Sequence, residues 1–158
     1  MTQALWRLSA TDLALAISNK SASAVEATQS VLDRIADVNP RINALVDLMP
    51  EEALATAAAA DRALARGAAV GPLHGVPVSI KVNVDTAGRA TTDGVVAAKD
   101  NIARSDSPLV ASLRAAGAVI VGRSNTPAFS LRWFTDNDLH GRTLNPFDAR
   151  VTPGGSSG

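Results

Sequence analysis

A β-branched stretch, a helix-forming run and a second apolar stretch succeed one another between Gly75 and Val121, and that order commits the chain to a sheet-centred architecture. Val76, Val78, Ile80, Val82 and Val84 alternate with other residues between Gly75 and Gly88, which predicts a strand. Ser107-Pro108 opens a short helix over residues 109–116, and Gly117 ends it. Ala118-Val119-Ile120-Val121 has the length and composition of a buried strand. Strand, helix and strand form a βαβ unit, so a mixed α/β sheet is expected from residue 71 onward.

The residues before it read differently. Ser9 starts a helix through Asp12-Leu13-Ala14-Leu15-Ala16-Ile17. Ser23 and Glu26 have capping-box spacing ahead of Val31-Leu32-Asp33-Arg34-Ile35, and Asn39-Pro40 closes this second helix. A third helix runs from Pro50 through the alanine tract to Arg66, with Gly67 as its stop. Residues 1–67 are therefore an N-terminal helical layer and residues 71–158 the start of an α/β core, without internal repeats.

Two features in the core carry chemistry. Lys81 interrupts an apolar strand, where a lysine either reaches solvent at a sheet edge or is held inward for reaction. Gly154-Gly155-Ser156-Ser157-Gly158 alone has the composition of a flexible linker. Here it follows Leu144-Asn145-Pro146-Phe147-Asp148 and Thr152-Pro153, which read as a packed turn entering a tight glycine bend.

Four segments resemble the amidase signature family, in that family's order: Pro72 to Lys81, Gly88-Arg89-Ala90-Thr91-Thr92-Asp93-Gly94, Ala115 to Pro127, and Pro153 to Gly158. The likeness extends from about Trp6 and is most specific from Gly71 onward. It implies an amidase-signature-type mixed sheet with flanking helices, here incomplete, and a hydrolase acting on a non-peptide carbon-nitrogen bond through a Ser/cis-Ser/Lys triad. Lys81 matches the lysine and Ser156 the bridging cis-serine, with Gly154, Gly155 and Ser157 in the cis-peptide loop. The family's serine nucleophile and oxyanion donors lie further along, so the chain is expected to stop within the active-site motif and to be inactive alone. Many members follow the lysine with aspartate, whereas this chain has Val82 and places its acid at Asp85; the expectation for Asp85 is structural. The resemblance also makes Ser130 a candidate to line the acyl pocket, with packing or capping as the alternative.

The chemistry needs these residue types. A serine attacking an amide must lose a proton and the leaving amine must gain one. A lysine serves only when neutral, which burial among Val78, Ile80 and Val82 would favour. A serine hydroxyl both donates and accepts, so Ser156 can relay the proton.

Composition removes other classes. Fifteen basic residues balance fifteen acidic ones, leaving no electrostatic footprint for nucleic acid or an anionic membrane. Cysteine is absent, which excludes disulfide scaffolds and thiol chemistry. The N-terminal Met1-Thr2-Gln3-Ala4-Leu5-Trp6-Arg7 lacks the pattern of a leader, and a cytoplasmic protein is expected. His74 and His140 sit beside glycines without metal-ligand spacing, and no phosphate-binding or dinucleotide fingerprint is present, so neither metal nor cofactor is expected. Thr91 to Gly94 reads as support for the lysine loop, and the Trp133-Phe134 pair beside Arg132 and Asp136 as core rather than substrate contact. The expected partner is a small-molecule amide. One alternative is a noncatalytic fragment or interaction module. Another is the amidase-type subunit of a glutamine-dependent tRNA amidotransferase, although Asn125 to Trp133 looks less like the acidic loop usual there. A sheet lacking its later strands predicts self-association through an exposed edge.

Overall fold

The structure is a computed structural model describing residues 4–157; the leading Met1-Thr2-Gln3 and Gly158 of the terminal motif lie outside the described residues. The helices are α1 (Ala10–Ser18), α2 (Ala24–Ile42), α3 (Pro50–Ala65) and α4 (Pro108–Ala115). The strands are β1 (Leu45–Leu48), β2 (Pro77–Lys81) and β3 (Val119–Ser124), in sheet order β1-β3-β2. Two compact units form from interleaved segments of chain.

The first unit comprises residues 4–37, 49–78 and 112–121. Local signals start its helices as expected. The Ser9 hydroxyl accepts from the Asp12 amide, and Ser23 and Glu26 exchange the two bonds of a capping box at 3.0 and 2.8 Å. Asp61 on α3 adds a second cap, accepting from the amides of Ala24 and Val25 at 2.7 and 3.1 Å. Alanines 24, 27, 53 and 57 are buried, and their small side chains let helix backbones approach closely; Leu13, Ile17, Val76, Val119 and Val121 fill the remaining core. The alanine tract is thus packing surface.

The second unit comprises residues 38–48, 79–111 and 122–157. Here α2 continues two residues beyond Pro40, correcting the expected stop at Asn39-Pro40. Termination comes at Asn43, whose φ of 52° turns the chain, while the Asn39 carboxamide accepts from the amides of Ala44 and Leu45. That turn launches β1, which the sequence did not announce; it pairs antiparallel to β3 with Asp47 opposite Arg123 and Leu48 opposite Gly122. A Cβ at Gly122 would lie 2.9 Å from the Asp47 carbonyl oxygen, so only glycine admits this approach.

The β2 and β3 strands run parallel. Val119 N–H donates to the Val76 carbonyl at one end and Val82 N–H to the Ser124 carbonyl at the other, so the register climbs together. The central β3 extends to Ser124, three residues past the expected Val121, and is buried along nearly its whole length. In contrast β2 stops at Lys81, short of the alternation that reached Val84, because Val84 N–H turns back to the Lys81 carbonyl. Among the described residues no helix is long and apolar enough to cross a membrane.

Candidate active site

Lys81 is the last residue of β2, and the Gly-Ser turn returns to it. Its Nζ donates to Ser156 Oγ at 2.8 Å across 75 residues of sequence. Burial lowers the Lys81 ammonium from the ordinary lysine value near 10.5, while the charge of Asp93 pulls the other way. Strand alternation sends Ile80 into the interior and Lys81 to the opposite face, and Val82 is enclosed on its own side. A carboxylate at the site of Val82 would be buried, so the aliphatic residue suits its surroundings. Asp85 does not take over the role of that acid. Its carboxylate accepts from the Thr91 hydroxyl and its carbonyl from Ser107 N–H, closing the loop.

The peptide joining Gly155 to Ser156 is cis. Gly154, with φ of 103°, accepts from the buried Thr135 hydroxyl at 3.2 Å, and its own amide donates to the Thr152 hydroxyl. Gly155 lies flat against the neighbouring backbone: a Cβ there would meet Arg132 O, Phe134 N and Trp133 C at 2.6 Å. Ser157 is exposed.

Ser130 lies with Ser156, Leu131, Arg132, Trp133 and Gly155 around a hollow of about 370 Å³. Its hydroxyl accepts from Asn83 Nδ2 at 3.1 Å and shares a hydrogen bond with Thr126 at 2.9 Å, on a backbone with φ of 58°. Trp133 and Phe134 are 88% and 45% exposed, correcting their assignment to the core. Gly155 presses on the backbone of residues 132–134, which belongs to no helix or strand, and the Trp133 ring stays outside. Arg132 stacks over the Phe134 ring at 5.6 Å.

Several positioning groups went unrecognised in the sequence. Asn137 donates to Asn125 Oδ1 and the Thr126 carbonyl at 2.8 and 2.7 Å, and accepts from the amides of Leu139 and His140. Asn125 in turn donates to the Gly141 carbonyl and the Thr143 hydroxyl. This buried lattice ties the loop after β3 to the segment that bears Thr135. Its signal was the run of polar residues, Asn125-Thr126 and Asn137, in loops that follow a buried strand. Asp93, read only as loop support, acts on the Lys81 charge. His74 meets the Ala60 carbonyl and His140 the Thr92 hydroxyl, and burial pushes His140 below its ordinary value. Among the described residues no three His, Cys, Asp or Glu side chains are placed to hold a metal ion.

Comparison with known proteins places this geometry in a lineage. The Amidase family model matches residues 26–158. The indoleacetamide hydrolase of Bradyrhizobium diazoefficiens is 54% identical over 154 residues, covering 98% of this chain and 29% of the relative. A glutamyl-tRNA(Gln) amidotransferase subunit from Carboxydothermus hydrogenoformans is 41% identical, covering 98% and 32%. Among solved structures, a fatty acid amide hydrolase superposes with a TM-score of 0.94 at 31% identity, covering 99% of this chain and 28% of that one. The chain thus spans roughly a third or less of the proteins it matches, and it belongs to the amidase family of amidase signature enzymes.

Proposed function

We propose that this chain supplies the proton-handling half of an amide hydrolase, with Lys81 as base and Ser156 as relay, to a serine nucleophile outside these residues. The supporting observation is the 2.8 Å contact between the Lys81 amine and the Ser156 hydroxyl. In the reaction the neutral amine takes the Ser156 proton as Ser156 takes that of the nucleophile, whose oxygen bonds to the amide carbon. The C–N bond then breaks, and the proton returns through Ser156 to the departing nitrogen. Water hydrolyses the acyl-serine by the same route reversed.

Ser130 and the hollow beside Ser156 receive the acyl group. Identity of 54% to an indoleacetamide hydrolase favours a primary amide of an aromatic acetic acid over the amidotransferase reading, which rests on 41%. The test is a chimera in which this chain replaces the matched stretch of that hydrolase. Ammonia release from indole-3-acetamide is expected, with no measurable turnover by the 158-residue chain alone. Turnover by the chain alone, or a folded chimera that is inactive on simple amides, would sink the reading. Preferential release of ammonia from glutamine would favour the amidotransferase.

A further inference from the structure

Val82 stands directly after Lys81, so something other than a neighbouring carboxylate must set the direction of the amine. The residue best placed to do so is an arginine inside the fold. Arg123 lies on β3 opposite Asp47 of β1 and is 1% exposed. Its Nη1 donates to the Ala90 carbonyl at 2.7 Å, and its Nη2 to the carbonyls of Val82 and Val84 at 3.0 and 3.2 Å. Nη1 is also 3.5 Å from Asp47 Oδ2, the longest of these contacts, and Asp47 pairs with Arg89 at 3.2 Å.

A buried cation is costly unless its donors find partners; both terminal nitrogens of Arg123 do so, while its buried Nε has no hydrogen-bond partner among the described residues. Here the shortest donations go to carbonyls of the segment that leaves the end of β2, while the Asp47 carboxylate, at 3.5 Å, supplies the main compensating charge. The connection to Lys81 is short: Val84 N–H holds the Lys81 carbonyl, and the Val84 carbonyl is held by Arg123. On the other side, Val82 N–H bonds to Ser124, the neighbour of Arg123 on β3.

We propose that Arg123 is a positioning residue for Lys81: its planar fork clamps the carbonyls of Val82, Val84 and Ala90 and thereby aims the Lys81 amine at Ser156. The proposal rests on Lys81 being the base for its catalytic consequence, but its geometric part stands apart from that reading. Arg123 is faced by the charges of Asp47, Arg89 and Asp85, and Lys81 by that of Asp93. A lysine at position 123 would keep the charge but could not span the three carbonyls as a planar fork does.

Competitive acylation of the chain across pH, read by mass spectrometry at each lysine, tests the geometry directly. Lys20 and Lys99 are the other two lysines and serve as internal standards. In Arg123→Met the Lys81 labelling midpoint is expected to rise by about one pH unit as the amine swings toward water. In the chimera the same change is expected to lower kcat ~10- to 100-fold with KM held within about twofold. Arg123→Lys is expected to fall between Met and wild type on both readouts. An unchanged Lys81 midpoint and kcat in folded Arg123→Met would overturn the proposal. Should that variant not fold, wild-type titration and kcat in Arg123→Lys would overturn it equally. Lys81→Ala in the chimera separates the two ideas: full activity there defeats the base assignment, while the labelling shift still decides the role of Arg123.

Discussion

Lys81 and Ser156 are joined by a 2.8 Å hydrogen bond across 75 residues of sequence, so the end of β2 and the Gly-Ser turn meet at this side-chain contact. The lysine is fixed by its strand, and the serine by a glycine pressed against the backbone of residues 132–134.

Replacing the base should remove turnover and spare binding. Lys81→Met in the chimera is expected to lower kcat by ~10²- to 10⁴-fold with little change in KM. Lys81→Arg should be as poor, because a guanidinium stays protonated. Steady-state ammonia release checks both, and an active arginine variant would refute general-base action by this residue.

The pH dependence has a definite sign. Burial lowers the Lys81 ammonium, so the neutral amine forms at lower pH than in an ordinary lysine, and kcat should rise with pH through that titration to a plateau. In the unfolded chain the lysine holds its proton until near 10.5. Between the lowered folded value and 10.5 the folded state binds fewer protons, so this group's contribution to stability grows as pH rises through that window. Lys81→Met should flatten this dependence in urea titrations, and an identical slope in the variant would refute it.

Gly155→Ala places a methyl group 2.6 Å from three backbone atoms, which cannot swing away as a side-chain tip would. A loss of about 1–3 kcal/mol is expected in denaturant titration, with a larger proportional loss of turnover because Ser156 moves with the turn. Gly154→Ala meets nothing within 4 Å and should suffer only from its φ of 103°, by about 1–2 kcal/mol. Equal stability of the Gly155 variant and wild type would show that the turn does not need this close contact.

Asn137→Ala strips partners from Asn125 Oδ1, the Thr126 carbonyl and two backbone amides at once. The expected destabilisation is about 2–4 kcal/mol, since several buried groups lose their bonds together. Thermal or urea unfolding checks it, and a shift under about 0.5 kcal/mol, the usual range for surface changes, would refute the lattice's importance.

Local rules reached much of this fold because its elements obey them. Ser9, the Ser23–Glu26 box and Gly67 start or stop helices through bonds made within a few residues, Pro50 starts one through its fixed φ, and the βαβ order follows from strand and helix periods. The failures are tertiary. Pro40 stays inside a helix because Asn39 and Asn43 arrange the exit several residues later, and β1 is too short for its alternation to register before β3 pairs with it. Lys81 was identified as a lysine out of place in an apolar strand, but the face it occupies depends on where β2 ends. Arg123 and Asn137 were invisible as site supports, because their partners are carbonyls and amides that only the folded backbone brings to them.

The outward indole of Trp133 makes the hollow beside Ser156 optically addressable. Trp6, the only other tryptophan, is stacked between Arg7 and Arg34 at 4.7 Å from each and belongs to the other compact unit. Emission from the two fluorophores therefore reports on separate surroundings, and an acyl group settling against Trp133 should shift one signal and leave the other as an unperturbed reference.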